Sequence, residues 1–296
     1  MQLKYDEVKS HRDVLKSMTS LTLEEFEALC KTFKEVWESE EAKDPSKGGR
    51  KPRLGNAEDQ LLFILFYFKT YPLQEVIGYL FGMSQSQANE WIHRLTKVLY
   101  KALEKGQYLP KRRSKELLAL LRQEEEQTLA IDGTERRRER PKDAEKQKRC
   151  YSGKKKCHTL KNDLVTGIED RRIKYLSPTH AGSEADKAIA DEADLAYPPD
   201  TELYQDKGFQ GYAPKGVNIH QPKKKPPGGE LTAEERETNR LISSLRVAVE
   251  HVIGGIKRLK IVHDVFRNTK VNYEDVVMAI ACGVHNLRTE YRLLSY

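Results

Sequence analysis

The first third of the chain has apolar residues at the spacing of α-helices. Thr22 and Glu25 form a capping-box signature. The apolar positions that follow at steps of three and four are Phe26, Leu29, Phe33, Val36 and Trp37. The charged stretch 41–55, which contains proline and glycine, is predicted to be a loop. Residues 57–69 are apolar on nearly every side, which predicts a buried central helix.

Two further helices with a turn between them are predicted next. The first begins at Pro72, the turn lies at Gly82, and Ser84 caps a second helix that runs to Leu99. The apolar positions expected to be buried are Leu73, Val76, Ile77, Leu80, Ala88, Trp91, Ile92 and Leu95. A short helix, a glycine turn and a longer helix have the proportions of a helix-turn-helix.

The second of these helices has a polar face that could contact DNA. Amide side chains can pair with adenine edges and arginine with guanine, which makes four residues candidates: Gln85, Gln87, Asn89 and Arg94. The alternative is an ordinary helical bundle whose polar face meets only water. The basic run 111–113 and a short helix at 116–123 then suggest a solvated connector.

The remaining two thirds alternate between strand and helix patterns. The predicted strands are 128–132, 158–165, 172–176, 201–206 and 217–220. Helices are predicted from Asp186 to about Leu195, from a Thr232 cap to about Lys260 and from Tyr273 to Tyr291. Three strands, a helix, a strand and then helices is the order of an RNase H-like α/β domain.

Three acidic residues lie either at the end of a predicted strand or on a predicted helix. Asp132 and Asp206 each follow a predicted strand and precede a glycine, and Glu250 lies on the long helix. Two carboxylates at strand ends and one on a helix could hold two divalent cations for phosphodiester chemistry. Taken singly, each aspartate could instead cap a turn, and Glu250 could form a plain surface ion pair with Arg246.

Composition narrows the class of protein. The chain has 296 residues and a net charge of +7, which favours a polyanionic partner. Its four cysteines form no C-x-x-C pair, so a zinc module or disulfide framework is not expected. The longest apolar run, 61–68, is too short to span a bilayer, and no secretory segment is evident. We expect a cytoplasmic, nucleoid-associated protein without membrane contact.

Basic residues are frequent between Gly133 and His158. The run Lys154, Lys155 and Lys156 in particular is a candidate phosphate-contacting loop. The alternative for any single lysine is a solubilising surface position.

Four motifs in order resemble the DDE transposases of bacterial insertion sequences. The motifs are Asp132-Gly-Thr-Glu135, Tyr151-Ser-Gly-Lys-Lys-Lys156 with His158-Thr-Leu-Lys161, Gln205-Asp-Lys-Gly-Phe-Gln-Gly211, and Arg246-x3-Glu250-x6-Lys257. The most similar group is the compact one related to the Harbinger nucleases, which also has an N-terminal helix-turn-helix.

This resemblance implies a catalytic triad of Asp132, Asp206 and Glu250 that uses two Mg²⁺ or Mn²⁺ ions. It also implies that Arg246 and Lys257 engage DNA near the scissile phosphate. The family often has a tyrosine seven residues before the glutamate, and here that position is Ser243. A role for that tyrosine is therefore absent from this chain.

The sequence thus predicts a helical DNA-binding domain at 1–110, a connector at 111–126 and a catalytic domain at 127–296. The expected function is a transposase that binds the inverted-repeat ends of its element in double-stranded DNA. It would cleave and transfer strands as a homodimer or larger synaptic assembly. The alternatives are a transposase-derived DNA-binding regulator and a DDE endonuclease without strand transfer.

Overall fold

The computed structural model describes residues 2–43, 53–124, 128–226 and 228–293. It divides into two compact units. The first comprises Met1–Leu109, Lys257–Asp264 and Val276–Tyr296, and the second comprises Pro110–Ile256 and Val265–Asp275. Most of the loop predicted at 41–55 lies outside the described residues.

Helices and strands follow one another much as the periodicity predicts. The helices are α1 Tyr5–Val8, α2 Arg12–Thr19, α3 Leu23–Lys43, α4 Ala57–Thr70, α5 Gln74–Leu80, α6 Gln85–Lys105, α7 Ser114–Leu121, α8 Ala144–Cys150, α9 Asp186–Ala193, α10 Ala233–Ile256, α11 Lys260–His263 and α12 Tyr273–Leu293. The strands are β1 Thr128–Arg137, β2 Tyr151–Ser152, β3 Cys157–Gly167, β4 Ile173–Leu176, β5 His180–Ala181, β6 Thr201–Gln205 and β7 Val217–His220.

Helix α4 is the buried centre of the first unit, as its apolar sequence predicts. Every residue from Leu61 to Phe68 is buried, and α2, α3, α6 and α11 pack around it. The capping box before α3 is confirmed. The backbone N–H of Thr22 donates to Glu25 Oε2 at 2.8 Å, and the N–H of Glu25 donates to Thr22 Oγ1 at 3.3 Å.

Helices α5 and α6 form the predicted helix-turn-helix. Gly82 makes the turn in the left-handed region with φ of 68°, and Ser84 caps α6 in a capping box with Gln87. The predicted burial of Leu73 and Val76 is wrong, because these side chains are 57% and 48% exposed. A side chain at Gly78 would meet the carbonyl of Met83 at 2.8 Å. Gly78 and Ile77 are the buried residues of α5. The side of the helix that carries them therefore packs inward and leaves Val76 exposed.

The second unit is built on one mixed sheet. Its central order is β2-β3-β1-β6-β7, with β4 and β5 also paired to β3. Strands β1, β3 and β4 are antiparallel in succession, whereas β6 pairs parallel to β1 and β7 parallel to β6. Helices flank this sheet, and the arrangement confirms the predicted RNase H-like α/β fold.

The two faces of β1 are covered by different helices. Leu129 and Ile131 face a core that includes Leu117 of α7 and Ala190 of α9. Ala130 points the other way and packs with Val249 of α10. The prediction of a solvated connector at 111–126 is wrong for α7, because Leu117 and Leu121 are fully buried in this core. Among the described residues, no helix has both the length and the hydrophobicity to cross a bilayer.

Candidate active site

Asp132 lies inside a strand and not at its end. The sequence predicted that the strand stops at Asp132, but β1 continues to Arg137 because it stays paired with β3 along that length. The glycine that suggested a turn, Gly133, is a strand residue opposite Asp163. Asp206 does directly follow its strand, and its Oδ1 accepts the N–H of Gly208 at 2.6 Å.

Parallel pairing brings Asp132 and Asp206 to the same level of the sheet. Ile131 is in register with Gln205, so the next residue on each strand carries a carboxylate. The charge of Asp206 is close enough to raise the pKa of Asp132. Two like charges on neighbouring strands predict an affinity for a cation at this point.

Arg246 of α10 partly balances Asp132. Its guanidinium lies 3.3 Å from Asp132 Oδ2, with both side chains largely buried. Burial raises the pKa of Asp132 to about 6, although Arg246 opposes this shift. Arg246 therefore contacts a carboxylate of the candidate site directly, which the helix pattern alone did not show.

Glu250 lies on the helix that covers the face from which Asp132 projects. Its neighbour Val249 is buried against Ala130, and Arg246, one turn earlier, reaches Asp132. The Glu250 side chain is exposed and, within the described part of the chain, makes no ion pair or hydrogen bond. Glu250 thus lies one turn after Arg246 on α10, with its carboxylate open to solvent.

Sequence reasoning missed Asp163. It lies on β3 beside β1 and is only 1% exposed. Burial raises its pKa to about 9, and the nearby charge of Asp186 adds to this, with smaller contributions from Asp132 and Asp206. No sequence signal marks this residue, because it sits in the middle of an ordinary strand pattern.

Asp186 is the first residue of α9, as predicted, and the N-cap before it, Ala185, makes no side-chain hydrogen bond. The carboxylate of Asp186 lies 3.1 Å from Lys161, which also lies 3.5 Å from Glu135. A Cβ on Gly133 would approach Asp186 Oδ1 to 2.7 Å. The glycine thus lets the carboxylate approach the strand backbone.

A second group of metal-type ligands lies elsewhere on this unit. Atoms of His180, Glu184 and Glu192 lie within 4.8 Å of one another. His180 Nδ1 faces Glu184 Oε2 at 2.8 Å, and Arg149 lies 3.9 Å from the same carboxylate. Glu184 is thus already paired with His180 and Arg149.

The four candidate DNA-contacting residues of α6 differ in their exposure and in the contacts they make. Asn89 is partly exposed on the polar face of the helix. Gln87 is engaged in the capping box, and Gln85 hydrogen-bonds to Gln74. Arg94 is exposed, yet its guanidinium lies over Trp37 at 4.4 Å from the ring centroid.

The basic candidates of the second unit are accessible. Lys154, Lys155 and Lys156 are all exposed at the turn between β2 and β3. By contrast, Arg136 from the same basic region is buried and donates to Asn162 and to the carbonyl of Glu274, so it serves the fold. Lys257 belongs to the first unit.

The donor atoms of Asp132, Asp163 and Asp206 suit a hard divalent cation. They are carboxylate oxygens, which Mg²⁺ and Mn²⁺ prefer. Both oxygens of Asp163 are buried without a hydrogen-bond partner among the described residues. Burial also disfavours the ionised form of Asp132. A bound cation would offset both unfavourable terms.

A sheet of this order, with aspartates on adjacent parallel strands and a covering helix, defines an RNase H-like nuclease fold. Residues 131–286 match the family described as DDE superfamily endonuclease, and residues 52–105 match the helix-turn-helix of the same superfamily. The chain is 32% identical over 227 residues to the probable transposase for insertion sequence element IS702 of Microchaete diplosiphon. That match covers 76% of this chain and 78% of the relative.

The chain therefore belongs to the DDE superfamily of transposases, with an N-terminal helix-turn-helix. This confirms the resemblance predicted from the four motifs. Membership implies DNA binding, nuclease chemistry and use of a divalent metal ion. No solved structure matches the chain.

Replacing Gly133 with alanine tests the close approach of Asp186. The new methyl group would lie 2.7 Å from Asp186 Oδ1 and 3.3 Å from Asp163 Oδ1. We expect Gly133→Ala to lower the free energy of unfolding by about 1–3 kcal/mol, measured by urea denaturation. Gly153→Ala is the matched control, because nothing lies within 4 Å of its added Cβ. Equal effects of the two substitutions would contradict the crowding.

Buried Asp163 predicts a pH dependence of stability in the absence of metal. Its pKa is about 9 when folded and near the ordinary value of 3.8 when unfolded, so the folded state holds the proton more tightly. Stability is therefore unaffected by this group below about pH 4, falls as pH rises toward 9, and then levels off. Asp163→Asn should remove that slope in EDTA, measured by urea denaturation. The exposed substitution Asp191→Asn should keep it.

Proposed function

We propose that this protein is an active transposase that binds the inverted-repeat ends of its element, cleaves there and transfers the freed 3′ ends to target DNA. The observation that carries the proposal is the placement of Asp132 and Asp206 at one level of adjacent parallel strands. Helix α10 supplies Arg246 to Asp132 and carries Glu250 on the same face.

Asp132, Asp206 and Glu250 are the proposed ligands of the metal, with Mg²⁺ or Mn²⁺ as the ion and two ions as the expected number. When bound, such ions activate the attacking oxygen and stabilise the leaving oxygen. Arg246 holds Asp132 in place by its ion pair, and it neutralises part of the charge that the site carries before DNA enters.

DNA recognition is assigned to two surfaces. Asn89, Gln85, Gln87 and Arg94 of α6 are proposed to contact the terminal repeat, with Asn89 the least engaged in other contacts. Lys154, Lys155 and Lys156 are proposed to bind phosphates, and Arg246 and Lys257 to act near the scissile phosphate. Because two ends must be joined, we propose a homodimer or larger synaptic assembly.

Two other functions agree with the same fold. A DDE endonuclease without strand transfer would use the same site, and a DNA-binding regulator would keep only the helix-turn-helix. The paired aspartates favour an enzyme over the regulator, because burial raises the pKa of Asp132 even beside Arg246, and a bound cation would offset this cost.

Cleavage of a supercoiled plasmid that carries the element's ends tests the proposal. Wild-type protein with Mg²⁺ should give excised or joined products. Asp132→Asn and Glu250→Gln should each reduce cleavage by at least about a thousandfold, because each removes a metal ligand. End binding, measured by gel shift, should be retained.

Glu237→Gln, an exposed substitution on the same helix as Glu250, is the matched control and should cleave like wild type. Nicking without joined products would favour the endonuclease. Binding without any cleavage by the wild type would favour the regulator.

Substitution of the three lysines tests the phosphate-binding loop. Combined replacement of Lys154, Lys155 and Lys156 by glutamine should reduce the slope of log K against log salt by about 0.9 for each lysine that contacts a phosphate. Fluorescence anisotropy with a duplex of the element's end measures this slope. Lys187→Gln, whose side chain pairs with Asp191, is the control. An unchanged slope in the triple variant would remove this loop from the interface.

A further inference from the structure

Neither carboxylate oxygen of the buried residue Asp163 has a hydrogen-bond partner among the described residues, although the preceding residue on β3 is fully engaged. Its neighbour Asn162 donates to the carbonyl of Ser177 at 3.0 Å and accepts from Arg136. Asp163 is equally buried, yet neither of its carboxylate oxygens has a donor among the described residues. Buried polar groups are normally paired, so an orphaned carboxylate indicates a missing cationic or protic partner.

Two glycines show where that partner would lie. A Cβ at Gly133 would be 2.7 Å from Asp186 Oδ1 and 3.3 Å from Asp163 Oδ1. A Cβ at Gly208 would be 2.8 Å from Asp206 Oδ1 and 3.0 Å from Asp186 Oδ2. Asp186 thus has one oxygen toward Asp163 and the other toward Asp206. Carboxylates from three separate elements converge on a space that side chains at these glycines would fill.

The cationic side chains nearby are already engaged. Lys161 lies between Glu135 and Asp186 and also donates to the carbonyl of Glu184 at 2.6 Å. Arg246 is paired with Asp132. The acidic residues of this region are Asp132, Glu135, Asp163, Asp186 and Asp206. With Asp163 protonated, as its raised pKa favours without metal, the other four carry a formal charge of −4 against +2 for Lys161 and Arg246, and the difference of −2 matches one divalent ion.

We propose that Asp163 and Asp186, together with Asp206, supply carboxylate oxygens to a divalent cation, so that the metal centre extends beyond Asp132, Asp206 and Glu250. This inference rests on the proposed function, since Asp206 belongs to both sets. A cation here would pair the two oxygens of Asp163 that have no hydrogen-bond partner among the described residues. It would also explain why Asp186 lies so close and why glycine occupies positions 133 and 208. Carboxylates alone form this donor set, which suits Mg²⁺ or Mn²⁺.

Mn²⁺ binding to the full chain tests the proposal without relying on activity. Protein stripped with EDTA is titrated with Mn²⁺ and followed by electron paramagnetic resonance and calorimetry. Asp163→Asn keeps the size of the side chain and should weaken Mn²⁺ binding by at least about tenfold or abolish one site. Asp191→Asn, on exposed surface, should bind as wild type does. Unchanged affinity and stoichiometry in Asp163→Asn would overturn the proposal.

Thermal stability provides a second readout. Mg²⁺ should raise the Tm of wild type, and this increment should be largely lost in Asp163→Asn. If Asp163 kept its proton in the presence of Mg²⁺ and bound no cation, the increment would survive, which would overturn the proposal. Asp186→Asn, on the partly exposed edge of the cluster, gives the same two readouts if Asp163→Asn does not fold.

The inference and the proposed function fail in different ways. Mn²⁺ binding that is unaffected by Asp163→Asn and Asp186→Asn, with plasmid cleavage lost in Asp132→Asn, overturns the extended centre alone. Absence of cleavage by the wild type, with Mn²⁺ binding still weakened by Asp163→Asn, overturns the transposase and supports the cation site.

Discussion

The parallel pairing of β1 with β6 is the constraint on which the candidate site depends. Register between Ile131 and Gln205 sets Asp132 and Asp206 side by side, although 74 residues separate them. A shift of one residue in that register would turn one carboxylate to the opposite face of the sheet. The alternation that buries Leu129 and Ile131 on one face holds the register, so hydrophobic packing indirectly positions the charges.

The same packing places several carboxylates in buried positions. Asp132 and Asp163 both have raised pKa values because burial disfavours their ionised forms, and neighbouring aspartates add to the effect. A fold devoted only to stability would replace such residues with neutral ones. The aspartates therefore indicate a site that becomes favourable on binding cations, and membership in the DDE superfamily gives that cation a chemical role.

Near the C-terminal end, successive stretches of the chain alternate between the two units. Residues 257–264 and 276–296 belong to the helical unit, whereas 265–275 belong to the sheet unit. Within the sheet unit, Asp275 accepts from Arg112 and from the N–H of Thr179. Contacts between residues so far apart in sequence leave no local pattern along the chain. The sequence therefore predicted domains that each consist of one uninterrupted stretch of residues.

The sequence by itself determined the elements and the motif residues. Helix periodicity predicted the apolar helix α4 and the helix-turn-helix, and the spacing of Thr22 and Glu25 predicted the capping box before α3. Strand patterns gave the RNase H-like order, and four motifs indicated the DDE superfamily. These features depend on residues that are close together along the chain, so they can be recognised in a single sequence. The exposure of Leu73 and Val76 was not foreseen, because it depends on which face of α5 meets α6.

Only the tertiary structure decided which carboxylates meet. Asp132 proved to be mid-strand because its hydrogen-bonding partners on β3 continue past it. Asp163 and Asp186 come together beside Gly133 because β3 pairs with β1 and α9 begins next to that glycine. Nothing in their own neighbourhoods along the chain distinguishes them from an ordinary strand residue and a helix-start aspartate. Proximity in space sets their electrostatics, and that proximity exists only after the sheet has formed.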